Sequence, residues 1–562
     1  MDINCYAFEQ DFVLDHFQEG EFDFMDSASE VVETEFFQFI GANKILEELA
    51  ATYPSPRQKH EVPVWFYLAS NISMRLHGAH SFNSFPYIVR CGGMLNAFGA
   101  KIGHKVKHPV TGDITLSCEG FNDKNIHDRE TPCHPDYLRK FARTTKVQRL
   151  LEWFNRDVAQ IFKRHKAFDP EGIFSGDASY LFVPDNKNYE GSSLMLFDEH
   201  NHPVSAEAHA GMTPQAATRC RWRRCYKLVS LLHTDRQQSF SLRIAMRIVP
   251  GQAHEDPILY DLVDEFVAAV GRGVIKRLLL DRGFIDGERM GRCKLQHGID
   301  VLLPLRKDMA ICKDVLGLLR LPEFQFTEVP LPPPPPPVAE RLARAPERIR
   351  RREATRQKTL AALKAKQPPP DPAKILVKRE TVALPHLTSF STCPVPLTVI
   401  VNRETYADGR QHQWMLADTK PLAKNENPDG RRQEYHLRIP IEEGHRQLKC
   451  FWDLTKFTSQ AFSLVVNQVV FVALAFNLLQ IHLKRKGREE LNRKTRPRVH
   501  AQLLPNNAWV IIYYLNCFAL LTIDEYTELL LTLPKGNQDK ILARTRKLKR
   551  ELAAEFRNPR SP

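Results

Sequence analysis

The chain has 562 residues, 79 Lys and Arg against 66 Asp and Glu, and a formal charge of +13. That length exceeds one ordinary hydrophobic core and implies two to four structural units of roughly 100–200 residues each. The 11 cysteines are scattered singly with no C-x2-C spacing, which argues against a disulfide framework or a zinc ribbon and for a reducing cytosol.

The amino terminus, MDINCYAFEQDFVLDHF, carries acids where a signal peptide needs basic residues, so a cytoplasmic location is expected. The basic excess lies mainly in the second half, while the first fifty residues are acid-rich. A basic surface facing polyanions is the simplest reading, and a merely solvated basic surface is the alternative. Up to residue 165 the pattern is mostly helical: VWFYLASNISMRL and VQRLLEWFNRDVAQIFKRH repeat apolar residues at three-to-four spacing.

Three short apolar runs follow, EGIFSGDAS, SLMLFDE and CYKLVSLLH, each bounded by turn residues and each expected as a strand. A helix is expected over ILYDLVDEFVAAVG, then strands over VIKRLLLD and IDVLLPL. Strands in a row followed by helix-linked strands describe an α/β fold, a mixed sheet covered by helices, with sites gathered at strand ends. RNase H-like domains have this order.

After Arg306 regularity stops, and LPPPPPPV from Leu331 to Val338 reads as an extended polyproline spacer. The next stretch, AERLARAPERIRRREATRQKTLAALKAKQ, is rich in Arg and Lys and closes at Pro372; it is either a solvated helix on a linker or a DNA-backbone contact. From Ile375 to about Gln433 the chain is β-like, with Asp408-Gly409 expected as a two-residue hairpin turn. Beyond Tyr435 helices return, and the tail ends in the basic amphipathic stretch DKILARTRKLKRELAAEF. The segment Ala461 to Leu479 approaches the length of a membrane span, but Asn467, Gln468 and Asn477 favour a helix buried in protein, where amides find partners; no membrane association is expected.

Asp177 and Asp281 end expected strands, and two carboxylates at neighbouring strand ends can share magnesium ions, which demand hard oxygen ligands. A third carboxylate would complete a two-metal site for in-line displacement at phosphorus. Glu442 is the best candidate: Pro440 suits a first helical turn, and helical geometry puts Glu442, Arg446 and Lys449 on one face. His436 and His445 match no zinc spacing.

Tyr435, Arg438, Glu442 and Lys449 form a Tyr-x2-Arg-x3-Glu-x6-Lys signature, and the chain thereby resembles bacterial insertion-sequence transposases of the DDE type. LLLDRGFIDG resembles the second-aspartate block of that group, with Asp281, Gly283 and Phe284 filling its Asp-x-Gly-aromatic turn. GDASY around Asp177 resembles the first block, although Ala follows the Asp where Gly is common. The resemblance covers roughly residues 165 to 480.

It implies an RNase H-like mixed-sheet catalytic core with a β-rich insertion, a helical amino-terminal domain and a helical carboxyl-terminal region. The expected division is 1–165, amino-terminal DNA-binding domain; 166–306, core, first part; 307–433, insertion; 434–485, core, second part; and 486–562, basic carboxyl-terminal region. Asp177, Asp281 and Glu442 would hold two Mg2+ ions, with Mn2+ as substitute. Tyr435, Arg438, Lys449 and, by its helical position, Arg446 would bind double-stranded DNA, the terminal inverted repeats. A homodimer would synapse two ends, hydrolyse them and join the 3′-hydroxyls to target DNA. Some relatives stack a flipped base on an insertion-domain aromatic; Trp414 is the single Trp of this insertion, but no motif assigns it that role. Rival readings are an RNase H-like nuclease, a catalytically inactive DNA-binding derivative, and a membrane-associated protein built around the segment from Ala461.

Overall fold

The computed structural model describes residues 6–28, 31–59, 62–85, 88, 94–98, 104–107, 114–117, 134–331, 375–423, 426–450, 452–487, 509–515 and 517–544. Most of the polyproline segment and all of the basic stretch after it lie outside the described residues, as does the end of the basic tail. The chain forms two compact units, one of Met1–Ile275 with Ile439–Pro562, the other of Lys276–Arg438.

In chain order, the first unit opens with β1 (Ala7–Phe8), α1 (Gln10–Gln18) and β2 (Phe24–Ala28). Helices α2 (Val31–Ala42), α3 (Ile45–Thr52), α4 (Val64–Leu76) and α5 (Met94–Phe98) follow, then the hairpin β3 (His104–Lys107) and β4 (Ile114–Ser117), and α6 (Pro135–Thr144). Next, α7 (Val147–Glu152) passes through a π-helical stretch into α8 (Ala159–Arg164). The sheet strands of this unit are β5 (Ile173–Val183), β6 (Ser193–Phe197), β7 (Arg221–Thr234) and β8 (Ser241–Pro250), with short helices α9 (Ala206–Ala210) and α10 (Pro214–Ala217) before β7, and α11 (Glu255–Val270) after β8.

The second unit contains β9 (Arg277–Leu279), α12 (Gly287–Arg292), β10 (Asp300–Pro304), α13 (Ala310–Leu318), β11 (Thr327–Glu328), β12 (Leu376–Leu387), β13 (Leu397–Tyr406), β14 (Gln411–Asp418) and α14 (Asp429–Tyr435). The chain re-enters the first unit with α15 (Ile439–Cys450), α16 (Phe462–Arg485), β15 (Trp509–Tyr514), β16 (Cys517–Thr522) and α17 (Ile523–Thr532), followed by a helix at 535–544.

In the first unit β7 is the central strand. It pairs antiparallel with β5 along one edge and with β6 and then β8 along the other. Three strands were expected here; the fourth, β8, carries Arg243 and Arg247 in an otherwise alternating apolar run, which masks it in the sequence. α11 buries Leu259, Leu262, Val263, Phe266 and Val270, the repeat of an amphipathic helix, and packs on this sheet. Gly176 makes that packing possible: a Cβ there would lie 2.1 Å from Leu259 Cδ2.

α16 is the one described helix long and apolar enough to cross a bilayer, and 83% of its most apolar window is buried inside the protein. Its amides are all engaged, as a buried helix requires. Asn467 donates to Tyr67 Oη at 3.0 Å, Gln468 donates to the carbonyls of Leu454 and Lys456, and Asn477 binds both backbone groups of Arg243. Gln480 Oε1 accepts from Ser241 N at 2.7 Å, and Asn155 likewise binds both backbone groups of Met246. Side-chain amides from two helical segments therefore stand where a neighbouring strand would pair with β8.

The two ends of the chain co-fold. β1 runs parallel to β16, β16 is antiparallel to β15, and β15 is antiparallel to β2. Val13, Phe17 and Phe22 from the amino end share a core with Ile512, Ala519, Leu521, Leu533 and Ile541 from the carboxyl end. The carboxyl-terminal region is thus not purely helical: the apolar runs WVIIYY and CFALLT form a hairpin before the helices begin.

In the second unit the strand order is β11-β12-β13-β14-β10-β9; β9 and β10 are parallel and the other pairs antiparallel, so the sheet is mixed. The β-rich insertion continues the same sheet as the strand before Asp281 rather than forming a sheet of its own. At the tip of β13–β14, Gly409 takes φ +83° and donates to the Tyr406 carbonyl, while Tyr406 N donates to Arg410 O. The loop has three residues closed by a left-handed glycine instead of the expected two.

Candidate active site

Side chains alternate along a strand, so Gly176 faces α11 while Asp177 and Ser179 project from the opposite face of β5. Helix α15 packs on that face and against β8. Asp177 lies within β5 rather than at its end, because pairing with β7 continues to Val183. Its carboxylate is 18% exposed, and Oδ2 lies 3.1 Å from His445 Nε2. On its other side His445 Nδ1 is 3.0 Å from Nη2 of Arg243 on β8. Burial pushes the imidazole down to about 4, with the Arg243 cation acting in the same direction, so His445 is neutral near pH 7. Burial also lowers Arg243 to about 10, against the pull of Asp177.

One turn further along α15, Lys449 Nζ donates to Ser179 Oγ at 2.5 Å. Glu442 stands three positions before His445 and seven before Lys449, hence on the helix face that carries both. Its side chain is outside the described residues. Arg446, expected on the face of Glu442 and Lys449, is exposed, and the residue turned toward β5 at this level is His445.

The second unit carries the other half of the expected set. Leu280 N binds Leu302 O at the end of β9, and Asp281 follows. Asp281 Oδ1 accepts from Arg282 N at 2.7 Å and caps a 3-10 turn, Arg282–Phe284, anchored by the buried Phe284. The carboxylate remains 43% exposed, and Arg438 Nη1 lies 3.6 Å from it. Arg438 in turn donates to Tyr435 Oη at 3.3 Å. Beside Asp281 a cleft of about 1130 Å³ is lined by Arg282, Arg306, Lys307, Gln413 and Trp414, among others. The Trp414 ring stands 6.5 Å from that of Tyr435.

A buried ionic network fixes α14, the helix that ends at Tyr435. Arg277 on β9 binds both oxygens of Asp418 on β14, at 2.6 and 2.7 Å, and Glu434 at 2.8 Å. Arg431 adds ion pairs to Asp418 at 2.8 Å and to Glu426 at 2.7 Å. Burial opposes the Arg277 charge, but Asp418 and Glu434 outweigh it and hold the guanidinium above its ordinary range. Tyr435 and Arg438 are thereby placed over the end of β9.

Within each unit, then, the signature residues meet an expected aspartate: Lys449 the strand of Asp177, and Tyr435 and Arg438 the turn of Asp281. The carboxylates are hard oxygen donors of the kind a hard dication takes; Asp177 Oδ2 faces a neutral ring, whereas Asp281 Oδ1 has the Arg438 guanidinium standing off at 3.6 Å. Among the described residues no three His, Cys, Asp or Glu side chains cluster as a metal site, and the Glu442 side chain is not among them. Arg243 was not foreseen, since β8 itself was unread; His445 was weighed only as a zinc ligand and set aside, because the burial that pairs it with Asp177 leaves no mark in the sequence.

The family model described as transposase DDE domain matches residues 191–478, just over half of the chain. Asp281 and Glu442 fall inside the matched stretch, and Asp177 precedes it. No curated protein matches the chain. Among solved structures, a piggyBac transposase synaptic complex with hairpin DNA, determined by cryo-EM, is similar at 10% identity and a TM-score of 0.33, over 78% of this chain and 70% of that one.

Proposed function

Because the chain belongs to the transposase DDE-domain family, we propose that it is a cut-and-paste transposase of the insertion-sequence group with the Tyr-Arg-Glu-Lys signature, built on an RNase H-like core. It binds the terminal inverted repeats of its element, cleaves the DNA ends and joins the freed 3′-hydroxyls to target DNA. The observation that carries this reading is the packing of α15 on β5, which seats the signature helix, with Glu442 and Lys449 on one face, against the strand of Asp177.

Asp177, Asp281 and Glu442 are the proposed ligands of two magnesium ions, with manganese as substitute. When bound, such ions polarise the attacking and leaving oxygens at the scissile phosphate. The remaining work belongs to the chain. Arg438 and Lys449 donate charge-assisted hydrogen bonds to phosphate oxygens near the cut, with Tyr435 beside them and Arg446 on the exposed side of the same helix. Arg282, Arg306 and Lys307 give the cleft beside Asp281 a cationic wall for the DNA backbone, and Trp414 offers it a flat apolar surface. Residues 1–165 are proposed to read the specific end, and a homodimer to hold two ends together.

The test is cleavage of labelled DNA bearing the repeats that flank the gene, in magnesium, by wild type and Glu442→Gln. End-specific cuts that vanish in the variant support the reading. Specific binding with no cutting in magnesium or manganese would place an inactive DNA-binding derivative first.

A further inference from the structure

Arg243, His445 and Asp177 form a chain of contacts whose direction is fixed by chemistry. A guanidinium only donates, so His445 Nδ1, 3.0 Å from Arg243 Nη2, must accept. The ring proton of a neutral imidazole then sits on Nε2, which stands 3.1 Å from Asp177 Oδ2, close to it but not in hydrogen-bond alignment in this structure. Arg243 is 1% exposed, and among the described residues its Nε and Nη1 have no hydrogen-bond partner. A buried cation is costly to keep, and the contact that holds this one among the described side chains is His445. The surroundings hold it in place: Asn477 clamps its backbone, and α15 lies close on β8 at Gly444, where a Cβ would come to 3.2 Å from Ser241 Oγ.

We propose that Arg243 and His445 are positioning residues for Asp177, fixing the rotamer of its carboxylate and engaging Oδ2 so that Oδ1 is presented to the divalent cation. This rests on the proposed function, in which Asp177 is a metal ligand. The interposed ring explains why the arginine does not bind the carboxylate itself. A guanidinium directly on Asp177 would compete with the dication for the same oxygens and place like charge beside it. A neutral imidazole keeps a donor on one oxygen and holds the arginine charge one ring further away. Outer contacts of this kind orient a ligand and set its basicity, and their loss typically weakens metal affinity or activity by about 10–100-fold.

The experiment uses the full chain with and without end DNA, and Mg2+ or Mn2+ as the probe. The variants are His445→Gln, whose amide nitrogen reaches the place of Nε2, and His445→Asn, whose amide stops near Nδ1. Each is measured for the Mg2+ concentration giving half-maximal cleavage, for the rise in melting temperature on adding Mn2+, and for end binding without metal. We expect His445→Asn to need about tenfold more Mg2+ or above and to lose most of the Mn2+ shift, with metal-free end binding kept. His445→Gln should recover to within a few-fold of wild type on both metal readouts. Equal metal dependence in the Gln and Asn variants overturns the proposal, whatever their common stability, because a purely structural role has no reason to separate metal response from fold. If wild type shows neither a Mn2+ shift nor cleavage, the metal-dependent reading of the protein falls instead.

Discussion

Lys449 Nζ donates to Ser179 Oγ at 2.5 Å, which ties the last residue of the signature to the strand of Asp177, two positions beyond the aspartate on the same face. The ammonium is therefore held beside the proposed scissile phosphate before DNA arrives. Lys449→Ala should weaken binding to the specific end and lower the slope of log affinity against log salt by about one. Ser179→Ala retains the charge and should leave that slope unchanged. A Lys449→Ala slope equal to wild type would remove the phosphate contact.

Asp177→Asn, Asp281→Asn and Glu442→Gln should each abolish cleavage while leaving retardation of end DNA in gels intact, since each change removes a charge and little volume. Full cleavage activity in any one would remove that residue from the site.

Arg277 is expected to be a determinant of stability rather than of DNA contact. Arg277→Met takes the bidentate partner from Asp418, leaving it Arg431, and the close partner from Glu434; the two side chains are 0% and 8% exposed, and breaking a buried pair in this way costs about 3–5 kcal/mol. Urea unfolding should show that loss, together with a fall in cleavage as α14 and Tyr435 loosen. A loss below about 1 kcal/mol, the range of exposed pairs, would show that the network is dispensable.

His233 predicts an acid limb of stability. Its Nε2 accepts from Asp169 N at 2.8 Å and its Nδ1 donates to Ile173 O at 2.9 Å, and burial lowers it to about 4. The unfolded histidine takes up its proton near 6.5, so between about 6.5 and 4 the unfolded state binds more protons and stability falls as pH falls. The contribution is full above about 6.5 and amounts to about 3 kcal/mol. His80, lowered to about 3, and His445 add to the same limb. Melting curves of His233→Gln across this range should show a shallower acid slope than wild type; an identical slope would contradict the assignment.

The strands bearing the two aspartates, the helix of Glu442 and the burial of α16 were legible because each is a local pattern: apolar alternation, proline at a helix start, amides in an apolar run. The transposase reading came from the resemblance of Tyr435, Arg438, Glu442 and Lys449 and the blocks around the two aspartates to a known family, and the DDE-domain family match supports its coarser part. What escaped was set at a distance. β8 reads poorly because Arg243 and Arg247 interrupt it, and only the partners supplied by α15 and α16 explain why an arginine can be buried there. β1 and β2 are short and lie in an acidic stretch, and their partner strands come some five hundred residues later, beyond any window of sequence. Asp177 was expected at the end of a strand, yet the run Ala178–Val183 continues β5 and pairs with β7 for six more positions.

The amides of Asn155, Asn477 and Gln480 along β8 have a bearing on assembly. An unpaired strand edge is a template on which a second polypeptide can add its own strand, the usual route to edge-to-edge aggregation. Here Ser241, Arg243 and Met246 already spend those backbone groups on side chains from the same chain. That edge is closed to recruitment, so any association between copies of this protein would have to use some other face.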